Sequence, residues 1–185
     1  MSTPGPTADV SVRVAWADDA PAIAELQLRT WREVYADVLP ADALPGPEQV
    51  EPAAAAWRAS LSAPKDARNR VLVALERNRV VGLAVTTPAS DPDCDPIADA
   101  ELRELAVDPA ERGRGHGSRL LQAAVDTMQA DRFTRAVLWA VSTDDALRTF
   151  LTEAGWAPDT AHRELDLDGE GTTLVKQVRL HTAIS

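Results

Sequence analysis

The sequence predicts a mixed α/β domain of about seven strands and about four helices, and three observations carry that prediction. Short apolar runs with strand periodicity alternate with longer amphipathic stretches along nearly the whole chain. Early strands are joined by tight turns, as in a meander, whereas later ones are separated by helices and need crossovers. A glycine-rich turn, Arg112-Gly113-Arg114-Gly115-His116-Gly117, stands between a strand and a helix past the midpoint. No internal repeat or second core interrupts the 185 residues. One domain over 10–182 is therefore expected, after a Pro/Gly/Ser/Thr-rich disordered tail over 1–9.

Val10, Val12 and Val14 alternate with Ser11 and Arg13, which predicts the first strand. Asp18 or Asp19 caps a helix that begins near Ala20, carries Pro21 in its first turn and reaches about Tyr35. Pro40, Pro45, Gly46 and Pro47 then break the chain before a second helix near 48–62. Runs at 71–75 and 80–87 predict a hairpin around Arg77-Asn78. The segment 88–99 holds Pro88, Pro92 and Pro96 with Asp91, Asp93, Asp95 and Asp99, and is expected to be a loop.

A strand follows at 100–107. Leu120, Leu121, Ala124, Val125 and Met128 then repeat at helical spacing after Gly117. Residues 136–141 form a short apolar run, expected as a buried strand. A helix starts at Asp144 and is closed by Gly155, where left-handed geometry is usually needed. Final strands are expected near 161–167 and 173–180, joined through Asp168-Gly169. Trp31, Trp57, Trp139 and Trp156 are expected in the core.

A net charge of −10 and a pI near 4.7 argue against nucleic-acid or anionic-membrane partners, which reward clustered positive charge. No apolar run is long enough to span a bilayer, and the opening Met-Ser-Thr-Pro-Gly-Pro has no basic or apolar leader. The single cysteine, Cys94, excludes an internal disulfide. A cytoplasmic location is expected. His116, His162 and His181 show no metal-ligand grouping, and no metal is expected.

The glycine-rich turn is the chemically informative segment. Such a turn leaves backbone N–H groups unpaired at a helix N-terminus, with the helix dipole behind them, and so suits a pyrophosphate. Residues 111–119 hold three arginines against one glutamate in an otherwise acidic chain, which also favours an anionic ligand. The spacing G-x-G-x-G differs from the dinucleotide fingerprint G-x-G-x-x-G, which weakens an oxidoreductase reading. No Gly-Lys-Ser/Thr follows, as a nucleoside-triphosphate loop requires.

In this strand–loop–helix context the chain resembles the GNAT superfamily of acyl-CoA-dependent N-acetyltransferases. The residues that carry the resemblance are Arg112 to Gly117, then Leu138-Trp139-Ala140-Val141, Asp144 to Leu151, and Gly155-Trp156. Trp31-x-x-x-Tyr35 with Leu39-Pro40 is similar to one bacterial branch. The resemblance covers about 10–180 and implies a GNAT-like fold with acetyl-CoA as cosubstrate. It also implies direct transfer of the acetyl group to an amine of a small molecule or peptide. It places cofactor contacts at Leu105, Ala106, Val107, Arg112, Gly113, Arg114, Gly115, His116, Gly117, Ser118 and Asp144. His116 is expected to offer its backbone. Late strands often pair between subunits in such proteins, so a homodimer is an allowed state.

Two positions depart from the family pattern. Asp144 stands where Asn is common, and Leu151 stands where a Tyr proposed as general acid is common. A catalytically weak or inactive acyl-CoA-binding or sensing module is therefore the alternative to an enzyme. Glu101 and Glu104 are both candidate bases. Strand alternation allows at most one of them to face the acceptor unless a bulge intervenes. The resemblance places Tyr35 beside the acceptor as a further catalytic candidate, with a core or cleft-wall aromatic as the other reading. The acids of 91–99 either attract a cationic amine or keep a loop solvated.

Overall fold

Alternating apolar residues and helical apolar stripes resolve into eleven main elements in the computed structural model, which describes residues 9–184. In chain order they are β1 (Val10–Val14), α1 (Ala20–Val34), α2 (Val50–Ser62), β2 (Arg70–Glu76) and β3 (Arg79–Pro88). There follow β4 (Asp99–Val107), α3 (His116–Ala130), β5 (Arg135–Val141), α4 (Asp145–Glu153), β6 (Ala157–Asp166) and β7 (Leu174–Ala183). The strands form one sheet in the order β1-β2-β3-β4-β5-β7-β6. All neighbours are antiparallel except β4 and β5, which are parallel and joined across α3.

Arg77 and Asn78 both take positive φ, 50° and 63°, the geometry of a two-residue turn whose twist matches the flanking strands. That turn fixes the β2–β3 register. One face of the sheet packs on α3 and α4 through Leu72, Val81, Leu102, Leu120, Met128 and Leu138. The other packs on α1 and α2 through Ile23, Leu26, Val73, Leu83 and Trp57. Burying both faces explains why β2 and β3 read as nearly continuous apolar runs.

The structure departs from the sequence expectations at a few boundaries. Of the tail expected over 1–9, residues 1–8 lie outside the described residues, while Asp9 O accepts the Arg77 N–H at 2.8 Å. Helix α3 begins at His116, so Gly117 and Ser118 belong to its first turn. β6 begins at Ala157, four residues before the expected start, because its pairing with β7 is interrupted between Pro158 and His162, where Thr160 has φ 72°. Trp156 is in the core, but Trp31 is 40% exposed. No helix among the described residues is long and apolar enough to cross a membrane.

Candidate active site

Two irregularities in β4 create the site. β4 pairs with β5 only at Asp99, Ala100 and Glu101, while β5 continues alongside β7 as far as Val141. Beyond Glu101 the sheet is therefore open between β4 and β5. The second irregularity is a bulge: Thr86 pairs with Leu102 and Val85 with Glu104, so Arg103 is an extra residue on β4. The bulge cancels the alternation that separates residues three apart. Glu101 opposes Thr87 and Glu104 opposes Val85, two β3 residues of the same face. Both glutamates thus lie on the α1/α2 face.

The environment of Glu104 is built by α1 and α2. Gln27 Nε2 donates to Glu104 Oε2 at 2.6 Å, and Trp57 Nε1 donates to Gln27 Oε1 at 3.0 Å. Glu104 Oε1 is buried and has no hydrogen-bond partner among the described residues. Burial pushes the Glu104 carboxyl up to about 6, with Gln27, Trp31 and Arg103 acting in the opposite direction. Glu101 is buried at the point where β4 and β5 part, and burial raises its pKa too; Asp91 adds to the rise while Arg103 and Arg163 oppose it. Tyr35, at the C-cap of α1, is raised by its own burial and by the charge of Glu104. It therefore stays a protonated donor at neutral pH.

Sequence reasoning gave no site role to Gln27, Trp57, Trp31 or Arg103, although it named Trp31 in the Trp31-x-x-x-Tyr35 resemblance and both tryptophans as core residues. The β4 motif gives no signal of the first three, which reach the site from α1 and α2. Arg103 was legible only as a residue between two glutamates.

The segment after β4 matches its expected geometry. Asp108 N–H donates to Val81 O at 2.8 Å, and its carboxylate both caps Ala110 N–H and pairs with Arg29 at 2.7 Å. By two-residue alternation Ala106 also points its amide at β3, so Leu105 and Val107 point theirs into the gap. The amides from Arg112 to Ser118 meet no acceptor among the described residues, and Arg119 N–H is the first to find one, Gly115 O at 3.1 Å. Gly113 and Gly115 take φ 77° and 82°, which L side chains adopt only with strain. Gly117 has an ordinary conformation and packs against Phe150 and Val107.

The arginines of the loop are less available than their number suggests. Arg112 forks onto Glu33 at 2.6–2.8 Å, and Arg114 contacts Glu76 at 3.0 Å and Glu111 at 2.9 Å. Among these three, only Arg119 lacks an acidic partner; its guanidinium donates to Arg114 O at 3.1 Å. The local excess of positive charge is thus partly neutralised by glutamates distant in sequence. The His116 imidazole is buried with Nε2 2.9 Å from Glu76 Oε2, which leaves only its backbone to a ligand.

Asp144 caps α4, its Oδ1 accepting Leu147 N–H at 3.0 Å. Leu151 is fully buried, in the core cluster that packs the sheet against α3 and α4. The acidic loop 91–99 is held by cations of the chain itself. Arg179, 4% exposed, contacts Asp91 at 3.1 Å, Asp93 at 2.5 Å and Asp159 at 2.7 Å, and its Nη1 also donates to Cys94 Sγ at 3.6 Å. Asp91, Asp93 and Cys94 bring ligand-type atoms within 4.8 Å of one another, but the Arg179 guanidinium lies among them. Burial and the three neighbouring acids push the Cys94 thiol up.

A mixed sheet parted beside its central strand, with a loop of unpaired amides feeding the next helix, is the arrangement that the resemblance to acyl-CoA-dependent acyltransferases implies. Residues 22–156 match the model of the Acetyltransferase (GNAT) family, and the chain belongs to that family. The fold is similar to yncA from Salmonella typhimurium, solved with its cofactor acetyl-CoA (19% identity, TM-score 0.69, covering 96% of this chain and 95% of the other). It is also similar to the PaiA N-acetyltransferase of Thermoplasma acidophilum in complex with coenzyme A (13%, TM-score 0.68, 94% and 98%). A third similar structure is the ribosomal-protein-alanine N-acetyltransferase of Brucella melitensis (17%, TM-score 0.70, 94% and 99%). No functionally curated protein matches the sequence.

Proposed function

We propose that the protein transfers an acetyl group from acetyl-CoA to the amine of a small molecule or peptide, directly, in a ternary complex. The observation that carries this reading is the run of unpaired amides from Arg112 to Ser118 beside the β4–β5 gap. These amides and the α3 N-terminus suit the diphosphate of CoA. Exposed ion pairs such as Arg112–Glu33 contribute only about 0–1 kcal/mol, so a phosphate displaces the carboxylate at little cost. Asp144 serves the cofactor side by fixing the start of α4.

A lysine-like amine, pKa near 10.4, costs about 4.6 kcal/mol to deprotonate at pH 7, roughly 3.4 units at 1.36 each. Glu104 is the better placed base, reached through water. Its pKa of about 6 keeps it mostly ionised at neutral pH yet close enough to exchange a proton. Glu101, on the same face, holds the cationic form of the incoming amine. Tyr35, protonated, orients the acceptor. The amides of Leu105 and Val107 stabilise the oxyanion that forms when the amine attacks the thioester carbon. The C–S bond then breaks and the sulfur leaves as thiolate; a model thiol has pKa near 8.5, so no acid at Leu151 is required.

Thiol release from acetyl-CoA across a panel of amines tests the reading. Turnover with at least one amine is the expected result. Tight CoA binding with no turnover on any amine overturns it in favour of a sensing module, the alternative that the absence of an acid at Leu151 supports.

A further inference from the structure

We propose that Arg103 selects the acceptor by binding a carboxylate carried next to the reacting amine, so that the acceptor is a free amino acid or a similar zwitterion. This deepens the transferase reading above and rests on it. Arg103 is the extra residue of the β4 bulge, between Glu101 and Glu104, in the part of β4 that has no β5 alongside it. It is exposed, and no carboxylate or carbonyl among the described residues pairs with it. Arginines on neighbouring elements are engaged: Arg29 with Asp108, Arg70 with Asp131, Arg135 with Asp159, and Arg179 with three aspartates. Arg163 lies 4.3 Å from the Trp139 ring centroid and donates to Gln177 at 2.7 Å.

The geometry sets two carboxylates and one guanidinium, which has no acidic partner among the described residues, within residues 101–104 of β4, where β5 departs. The charge of Arg103 is felt by both Glu101 and Glu104. A simple cationic amine approaching those glutamates must also approach Arg103, and the like charges repel. An acceptor with a carboxylate beside its amine turns that repulsion into a charge-assisted contact. The planar guanidinium fork matches a carboxylate with two parallel hydrogen bonds. The amine is then left on the glutamate side, where deprotonation takes place. Peptide N-termini lack the adjacent carboxylate and are disfavoured by the same logic.

The test compares the twenty L-amino acids with their primary amides and with spermidine, using CoA release as readout. The expected result is that the best amino acid exceeds its amide in kcat/KM by about tenfold or more. In Arg103→Gln that ratio falls to about one, chiefly through a higher KM, while Arg103→Lys recovers part of it. CoA affinity, measured by titration, stays the same in both variants and shows that they fold and keep the cofactor loop. Amides or spermidine matching or exceeding the amino acids in the parent, or a ratio unchanged in Arg103→Gln, overturns the proposal while the transferase reading stands. The absence of CoA release with these acceptors and with every other amine overturns both.

Discussion

Gln27 holds Glu104 from a helix 77 residues away, its Nε2 donating to Oε2 at 2.6 Å. Trp57 fixes which end of the Gln27 amide faces the carboxylate, because the indole is only a donor and occupies Oε1. The hydrogen bond favours the ionised form of Glu104 against the burial that opposes it.

Replacing Gln27 with Ala removes that donor, so the Glu104 pKa rises further above 6. The ascending limb of the kcat/KM–pH profile therefore moves to higher pH, and activity at pH 6.5 falls about tenfold. Trp57→Phe keeps the Gln27 donor but frees the amide to rotate, and gives a smaller shift in the same direction. A pH profile that does not move in Gln27→Ala removes Glu104 from the base role.

Glu104→Gln lowers turnover by about 10² or more with CoA affinity unchanged. Its effect on stability has the opposite sign. The Glu104 pKa is raised from 4.5 to about 6 in the folded protein, so the native state binds this proton more tightly than the unfolded chain does. The associated stability is complete below pH 4.5 and is lost as pH rises through 6. Above that range the charged, half-buried carboxylate is a burden, and Glu104→Gln is the more stable protein by about 1–2 kcal/mol at pH 8. Urea midpoints at pH 4.5 and pH 8 measure the difference. Glu101→Gln, measured beside it, keeps the larger share of turnover; the reverse ranking makes Glu101 the base.

Gly115→Asp weakens CoA binding by at least tenfold in a calorimetric titration. The new Cβ lies 3.2 Å from Arg119 Nη1, so the added carboxylate neutralises the one loop arginine without an acidic partner and repels the diphosphate. Strain from φ 82° costs about 1–2 kcal/mol of stability. Gly113→Ala serves as the control, because its Cβ meets nothing within 4 Å and carries the strain without the charge. Equal CoA affinity in Gly115→Asp and Gly113→Ala contradicts the loop assignment.

Leu151→Tyr does not raise kcat, although it restores the residue type common at this position in the family. Leu151 fills the core with no exposed surface, and a phenol there overpacks it at a cost of about 1–3 kcal/mol. A rate gain without loss of thermal stability shows instead that this side chain swings into the cleft.

The elements and the glycine-rich turn were legible because their signals are local. Val10, Val12 and Val14 state a period of two within five residues, Arg77-Asn78 state a turn, and Gly113 and Gly115 stand where positive φ is needed. The base was not legible, since strand alternation placed Glu101 and Glu104 on opposite faces. The loop arginines were legible as charges but not as partners: Glu33 and Glu76, which pair with Arg112 and Arg114, come from α1 and the end of β2. The acidic loop 91–99 was read either as drawing a cationic amine or as keeping a loop solvated, and the Arg179 of β7 that pairs with it lies about 86 residues further along the chain.

By itself, then, the sequence determined which segments are strands and helices, that a glycine-rich turn joins the central strand to the next helix, and the family these imply. Periodicity, capping and turn chemistry act between residues a few positions apart, so they are written in the order of the chain. Only the tertiary structure decided that β4 bulges at Arg103, that it leaves β5 after Glu101, and that Gln27 and Trp57 close around Glu104. Those features depend on the register of a neighbouring strand and on the packing of α1 and α2, and contacts of that kind have no fixed spacing along the sequence.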